Sequence, residues 1–266
     1  MLNTIPEGVS NVVLHTGNML YYTDVTKQVN MLTTEQIVEG LKTSISLFDK
    51  LPAAENDVLH LKRAMLINQT EEERKNLQTM IKVFITSPDL SSLRSALQYT
   101  IKDVGISCID SVILSYINTV NDQKNILDDY MVMWKILEEF VQNGEVINLG
   151  ISDIETDIFI QLYEAAQVKP SINQINLNAC CVVPQDLQDF CKGRDIRILT
   201  HNDPLDILPV NELLPLFRVK NGQNESGDEK ILSSAQVSWV TRFQAHIKCR
   251  GILASKGYIV KLKLGK

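Results

Sequence analysis

Ser152, His201 and Asp203 are the residue types of a hydrolytic triad: a hydroxyl nucleophile, an imidazole base and a carboxylate to orient it. Their setting argues against that chemistry. A nucleophilic serine on an α/β scaffold rides a Gly-x-Ser-x-Gly turn, which Ser152 lacks, and His201 reads more simply as a residue at the mouth of a loop. The adjacent pair Cys180 and Cys181 would suit a metal only with a second thiol pair or a histidine cluster at ligand spacing, and the chain has neither. No metal site is expected. The five cysteines (Cys108, Cys180, Cys181, Cys191 and Cys249) form no Cys-x-x-Cys unit, and an odd number in a chain of this length does not suggest a disulfide framework. Reduced thiols follow. If the backbone at 180–181 is extended, the two side chains point to opposite sides, so one is accessible while its neighbour is buried. The lysines of IVKLKLGK (Lys261, Lys263 and Lys266) alternate as on an edge strand protected against stray pairing.

The elements that must position these groups follow from composition and pattern. A chain of 266 residues, 44% hydrophobic and 22% charged, can bury the core of one α/β domain. A net charge of −6 and a pI near 5.3 leave no basic stripe for nucleic acid. No apolar run is long enough to span a bilayer, and MLNTIPEGVS has neither the basic start nor the apolar core of a signal peptide, so a cytoplasmic protein is expected. The sequons at Asn68 and Asn224 would matter only in a secreted protein.

Strands and helices then alternate. NVVLHTG (11–17) is β-rich, and TTEQ resembles a capping box opening a helix through IVEGLKTSISLFDK. VLHLKRAMLI (58–67) suits either state, and TEEERKNLQTM (70–80) reads as a charged helix. From residue 81 the rhythm is regular: strands at 81–86, 109–117, 145–151, 171–177 and 195–200, and helices at 90–104, 125–143, 155–167 and 184–193. KNGQNESGDEK, within 219–230, is too polar to hold one conformation and reads as a mobile loop. KILSSAQVSWVTRFQ (230–244) is read as a helix and IKCRGIL (247–253) as a short extended stretch. About eight βα units in one domain, 1–266, predict a closed (β/α)8 barrel.

The stretch NLGISDIETDIFIQLYEAAQVKPSINQINLNACCVVPQDLQDFCKGRDIRILTHNDPL resembles the fifth to seventh βα units of the aldo-keto reductases. That resemblance implies a TIM barrel of their type and a catalytic set of Tyr, Asp, Lys and His. The set is unmatched. No tyrosine lies between Tyr22 and Tyr99, Pro88 stands near the lysine position, and Ser115 stands at the histidine position. By the same resemblance Ser152, Asp153 and Gln174 occupy the places that hold a nicotinamide amide, and His201 the place of the stacking aromatic. Asp153 cannot donate as an Asn amide does, and too few residues follow IKCRGIL for the usual C-terminal helix at the cofactor phosphates. The expectation is therefore no catalytic residues and no cofactor.

LTHNDP (199–204), NACCVVP (178–184), CRGILASKGYI (249–259) and LHTGNML (14–20) together resemble the glutamate–cysteine ligase regulatory (modifier) subunits, a catalytically silent branch of the reductase superfamily. What this implies is a heterodimer with the ligase's catalytic subunit, favouring glutamate use and relieving glutathione feedback. Cys180, Cys181 and Cys249 are candidates for an intersubunit disulfide. The alternative is an NAD(P)H-dependent reductase with an unrecognised proton donor, supported by Ser152 and Gln174.

Overall fold

A computed structural model describes residues 3–22, 31–63, 74–117, 126–176, 182–220 and 229–265. The chain opens with β1 (Asn3–Ile5) and β2 (Asn11–His15), followed by α1 (Thr33–Ser46) and β3 (Val58–Leu61). Half of the expected capping box forms: the Glu35 carboxylate accepts the Leu32 N–H at 3.0 Å, while Leu32, at the cap position, has no oxygen to return the bond. Next come β4 (Leu77–Ile85), α2 (Leu90–Val104), β5 (Ile109–Tyr116), α3 (Ile126–Gln142), β6 (Val146–Ser152), α4 (Thr156–Ala165), β7 (Ile172–Asn176), α5 (Gln185–Lys192) and β8 (Arg197–His201). This is the alternation the sequence predicts, to within a few residues at most ends. Asp89 caps α2 by accepting the Ser91 N–H at 2.9 Å, and Gly105 ends it in the left-handed region at φ 72°.

Strands β4 to β8 pair in parallel and in sequence order, as βα connections require. Gly150 lets β6 and β7 approach closely, since a Cβ there would lie 2.8 Å from the Ile172 Cβ.

Two expectations fail at the ends of the chain. The charged helix expected at 70–80 lies partly outside the described residues, and its second half is the start of β4, at Leu77. The helix expected at 230–244 is absent. Instead β9 (Phe217–Lys220) and β10 (Glu229–Ile231) form a small sheet with β1, and β11 (Ala235–Ile247) and β12 (Ile252–Leu264) form a long antiparallel hairpin. The reason lies in pairing on both sides: β11 bonds β4 as well as β12. Trp239, Phe243 and Ala245 then enter one core and Val240 the other. Lys261 and Lys263 consequently sit on an interior strand, because β12 also pairs with β2. The expected mobile loop spans β9 and β10 at its ends, and its centre, 221–228, lies outside the described residues.

The main sheet runs β3-β2-β12-β11-β4-β5-β6-β7-β8. Among the described residues its outer strands, β3 and β8, do not pair with each other, so the α/β class stands but barrel closure is not seen. One face packs Ile81, Val83 and Ile85 against α2 to α5; the other packs Val12, Leu14, Phe84 and Val240 against α1 and the segment from Ile207 to Phe217. Lys82, between Ile81 and Val83, shares this second face with Phe84.

Candidate functional site

The carboxyl ends of β6, β7 and β8 bring Ser152, Asn176 and His201 together. Asp153 follows β6 at φ 59°, a left-handed conformation that aspartate tolerates better than most residues, and Asp203 follows β8. Two residues missed in the sequence complete the cluster. Lys82 and Arg242 are register partners across β4 and β11 and face the same side. Opposed like charges destabilise a strand pair unless a counter-ion lies between them. Asp203 supplies it: Arg242 Nη1 donates to Oδ1 at 2.5 Å and Lys82 Nζ to Oδ2 at 3.0 Å. The Lys82 and Asp203 side chains are 1% and 3% exposed, so neither charge is answered by solvent.

The network reaches each position inferred for cofactor contact except one. Lys82 Nζ also donates to Ser152 Oγ at 3.0 Å, and Ser152 Oγ donates to Asp153 Oδ2 at 2.8 Å. His201 Nε2 lies 3.0 Å from Asp153 Oδ1 and 3.1 Å from Ser152 Oγ. Its Nδ1 lies 3.1 Å from the Asp203 backbone nitrogen and 3.3 Å from the Asp203 carboxylate. Gln174 is the exception: it pairs with Ser152 in register, is buried, and its Oε1 has no hydrogen-bond partner.

The electrostatics follow from burial and contact. Burial pulls the Lys82 amine down to about 8, against the attraction of Asp203. Burial works to raise Asp203, but the His201 hydrogen bond and the Arg242 and Lys82 charges hold it well below the carboxylate range. For His201 burial lowers the affinity for a proton, while hydrogen bonds to Asp153 and Asp203 outweigh it and raise the value. Asp153, despite burial, is lowered by His201 and Ser152.

Ser152, His201 and Asp203 therefore do meet at triad-like distances, yet the chemistry has the wrong sign. Ser152 is fully buried and its hydroxyl proton is given to Asp153. A general base must be free to accept that proton, whereas the carboxylates around His201 favour its protonated form. The cluster can hold charge and fix the ends of three strands.

Beside it opens a cavity of about 380 Å³. Phe84, Tyr116, Tyr130, Ile158 and Leu205 line it together with Ser115, Asp153, Glu155 and the His201 side of the network. Pro88 follows the end of β4, and Ser115, read as standing where the reductases keep a histidine, is near the end of β5.

Of the thiols, Cys180 and Cys181 lie outside the described residues. Cys249 is exposed and free, in the tight turn between β11 and β12 with φ 66°, so its segment is a turn and not the extended stretch expected. Cys191 is buried, which pushes its thiol up to about 11. No group of three or more His, Cys, Asp or Glu suited to a metal occurs among the described residues, and no helix among them is long and apolar enough to cross a membrane.

Comparison with known proteins places this geometry. Residues 54–205 match the aldo/keto reductase family model. The glutamate–cysteine ligase regulatory subunit of Mus musculus is 31% identical over 96% of this chain and 93% of its own length. That of Homo sapiens is 32% identical over 94% and 92%, and a putative regulatory subunit of Schizosaccharomyces pombe is 27% identical over 51% and 45%. Among solved structures, an aldo-keto reductase from a deep-sea metagenome library covers 50% of this chain and 45% of its own at 20% identity and a TM-score of 0.40. One from the silkworm Bombyx mori covers 65% and 46% at 17% identity and 0.39.

Proposed function

Since this chain belongs to the family of glutamate–cysteine ligase regulatory subunits, within the aldo/keto reductase superfamily, we propose that it acts by binding the ligase's catalytic subunit one to one and carries no catalysis of its own. In that complex it favours the use of glutamate and relieves feedback by glutathione, in the cytoplasm. The observation that carries the reading is the similarity to regulatory subunits along 96% of the chain. The geometry supports it independently. Three of the four groups inferred to hold a nicotinamide, Ser152, Asp153 and His201, are occupied with one another and with Lys82. A dinucleotide would have to break these hydrogen bonds and ion pairs to reach them.

A regulator acts only through differential affinity for its partner's states. The test is co-elution of the two purified chains, with glutamate titrations of the catalytic subunit alone and in the mixture. A lower apparent glutamate requirement in the mixture is expected. Failure to co-elute, or an unchanged glutamate dependence, rejects the assignment.

The cysteine candidates extend the same reading. A disulfide to the partner, from Cys180, Cys181 or the exposed Cys249, would form as two thiols pass two electrons and two protons to a small-molecule disulfide, so that assembly strengthens as the reduced thiol pool falls. A Cys180→Ser, Cys181→Ser double variant that still gives the full covalent band on non-reducing electrophoresis removes that pair from the mechanism.

The reading of an active reductase retains Gln174, whose side-chain oxygen is unpartnered. It predicts saturable binding of reduced nucleotide at micromolar concentration. Trp134 and Trp239 are both buried in the core beneath the helices, so the nucleotide's own fluorescence is the appropriate signal.

A further inference from the structure

We propose that the open edge of β8 receives an extended segment of the ligase's catalytic subunit as an added strand, with an acidic side chain of that segment at the Arg197 end; the inference rests on the regulatory-subunit reading and adds to it a point of contact. The Arg197 N–H donates to the Ser171 carbonyl at 3.0 Å, and β8 stays in parallel register with β7 from Arg197 to His201. In such a ladder alternate residues turn both N–H and C=O to the same neighbour. Residues 197, 199 and 201 therefore face β7, and the backbone groups of Ile198 and Thr200 face outward. Among the described residues nothing bonds these outward groups, and β8 is the last strand of the sheet. Arg197 and Thr200 are exposed.

The outer strand at the opposite end of the sheet is already closed against its own chain. β3 has four residues, and Val58, on its outer side, exchanges both backbone bonds with Glu55 at 2.9 Å. Natural sheets also blunt an edge with lysine, proline or a bulge; β8 reads RILTH, has none of these, and keeps one register along its five residues. An open row of donors and acceptors about 17 Å long is complementary to another extended backbone. Charge selects whose backbone that is. A second copy, paired antiparallel across a two-fold axis, would set Ile198 opposite Thr200 and Arg197 opposite His201. The carboxylates around His201 favour its protonated form, so like charges would meet there. Arg197 makes no ion pair among the described residues, and a partner strand with a carboxylate at that end satisfies the edge and the cation together.

The test uses the full chain with the purified catalytic subunit, with amide exchange read residue by residue by NMR. In the isolated chain the Ile198 and Thr200 amides are expected to exchange faster than those of Leu199 and His201, and in the complex to slow by about tenfold or more. Thr200→Pro removes an outward N–H and no bond to β7, so it is expected to weaken the complex by about tenfold or more, with circular dichroism and melting temperature showing that it folds. Arg197→Glu is expected to weaken it by a smaller factor. If Thr200→Pro does not fold, the exchange measurement and Arg197→Glu carry the decision. Exchange at Ile198 and Thr200 that the catalytic subunit leaves unchanged, affinity of Thr200→Pro within roughly twofold of the unaltered chain, or a dimer of the isolated chain that protects the same amides overturns the proposal. If the unaltered chain does not bind the catalytic subunit, the regulatory reading fails and the docking edge with it, whereas binding that survives Thr200→Pro removes the edge alone.

Discussion

Asp203 holds two buried cations that the sheet register places face to face, and its loss has a definite cost. Asp203→Asn leaves Lys82 and Arg242 opposed without a counter-charge, and removal of one partner from a buried ion network commonly costs about 3–5 kcal/mol. Urea denaturation should show a loss of that size, and Lys82→Met in the same background should restore part of it. Equal stability of the single and double variants would show that the uncompensated Lys82 charge is not the source of the loss. His201 gives a pH signature. Its folded pKa is raised above the unfolded value of about 6.5, so its contribution to stability is fully present below that pH and is lost as pH rises through the folded value. The unaltered protein should lose stability relative to His201→Gln as pH rises from the unfolded value of about 6.5 through the raised folded value. Parallel pH profiles of the two proteins would contradict this. Lys82 was legible as an anomaly, a lysine inside the apolar run IKVFIT, but nothing local names its partner.

Gly150 shows how one position sets the spacing of two strands. An alanine Cβ would meet Ile172 Cβ at 2.8 Å, backbone on one side and a β-branched side chain on the other, so the strands must separate. Gly150→Ala should cost about 1–3 kcal/mol by overpacking and raise amide exchange in β7 more than in β4. Unchanged exchange in β7 would mean that the pair has slack. The alternation from residue 81 to 201 was readable because each helix carries its own apolar stripe and stop signal, Gly105 and Gly144 among them at φ 72° and 74°. The hairpin of β11 and β12 was not. Its first strand carries apolar residues whose spacing also fits a helix, and only pairing with β4 and β12 decides between the two periods.

For the molecule as a whole, the scaffold is an enzyme's and the expected behaviour is a regulator's. No aldehyde-dependent oxidation of reduced nucleotide is expected, because residues 23–98 contain no tyrosine to protonate a carbonyl, and general acid catalysis alone commonly contributes ~10²–10⁴-fold. Steady turnover abolished by a single substitution in this chain would refute that. Residues 252–264 form an interior strand bonded to β2 and β11.

By itself the sequence determined the α/β rhythm between residues 81 and 201, the missing tyrosine, and a pattern of short motifs shared with regulatory subunits, because periodicity, caps and composition are local properties of the chain. Tertiary structure alone decided the rest. Lys82 and Asp203 are 121 residues apart and Asp203 and Arg242 are 39 apart, and they meet only because β11 lies against β4 with their side chains on one face. The cavity has the same origin, since the hydroxyls of Ser115 and Tyr130 and the carboxylates of Asp153 and Glu155 come from separate βα units. Strand neighbours and facing direction are set by long-range pairing, and a change of one residue in the register of β4 or β11 would turn Lys82 or Arg242 to the other side of the sheet.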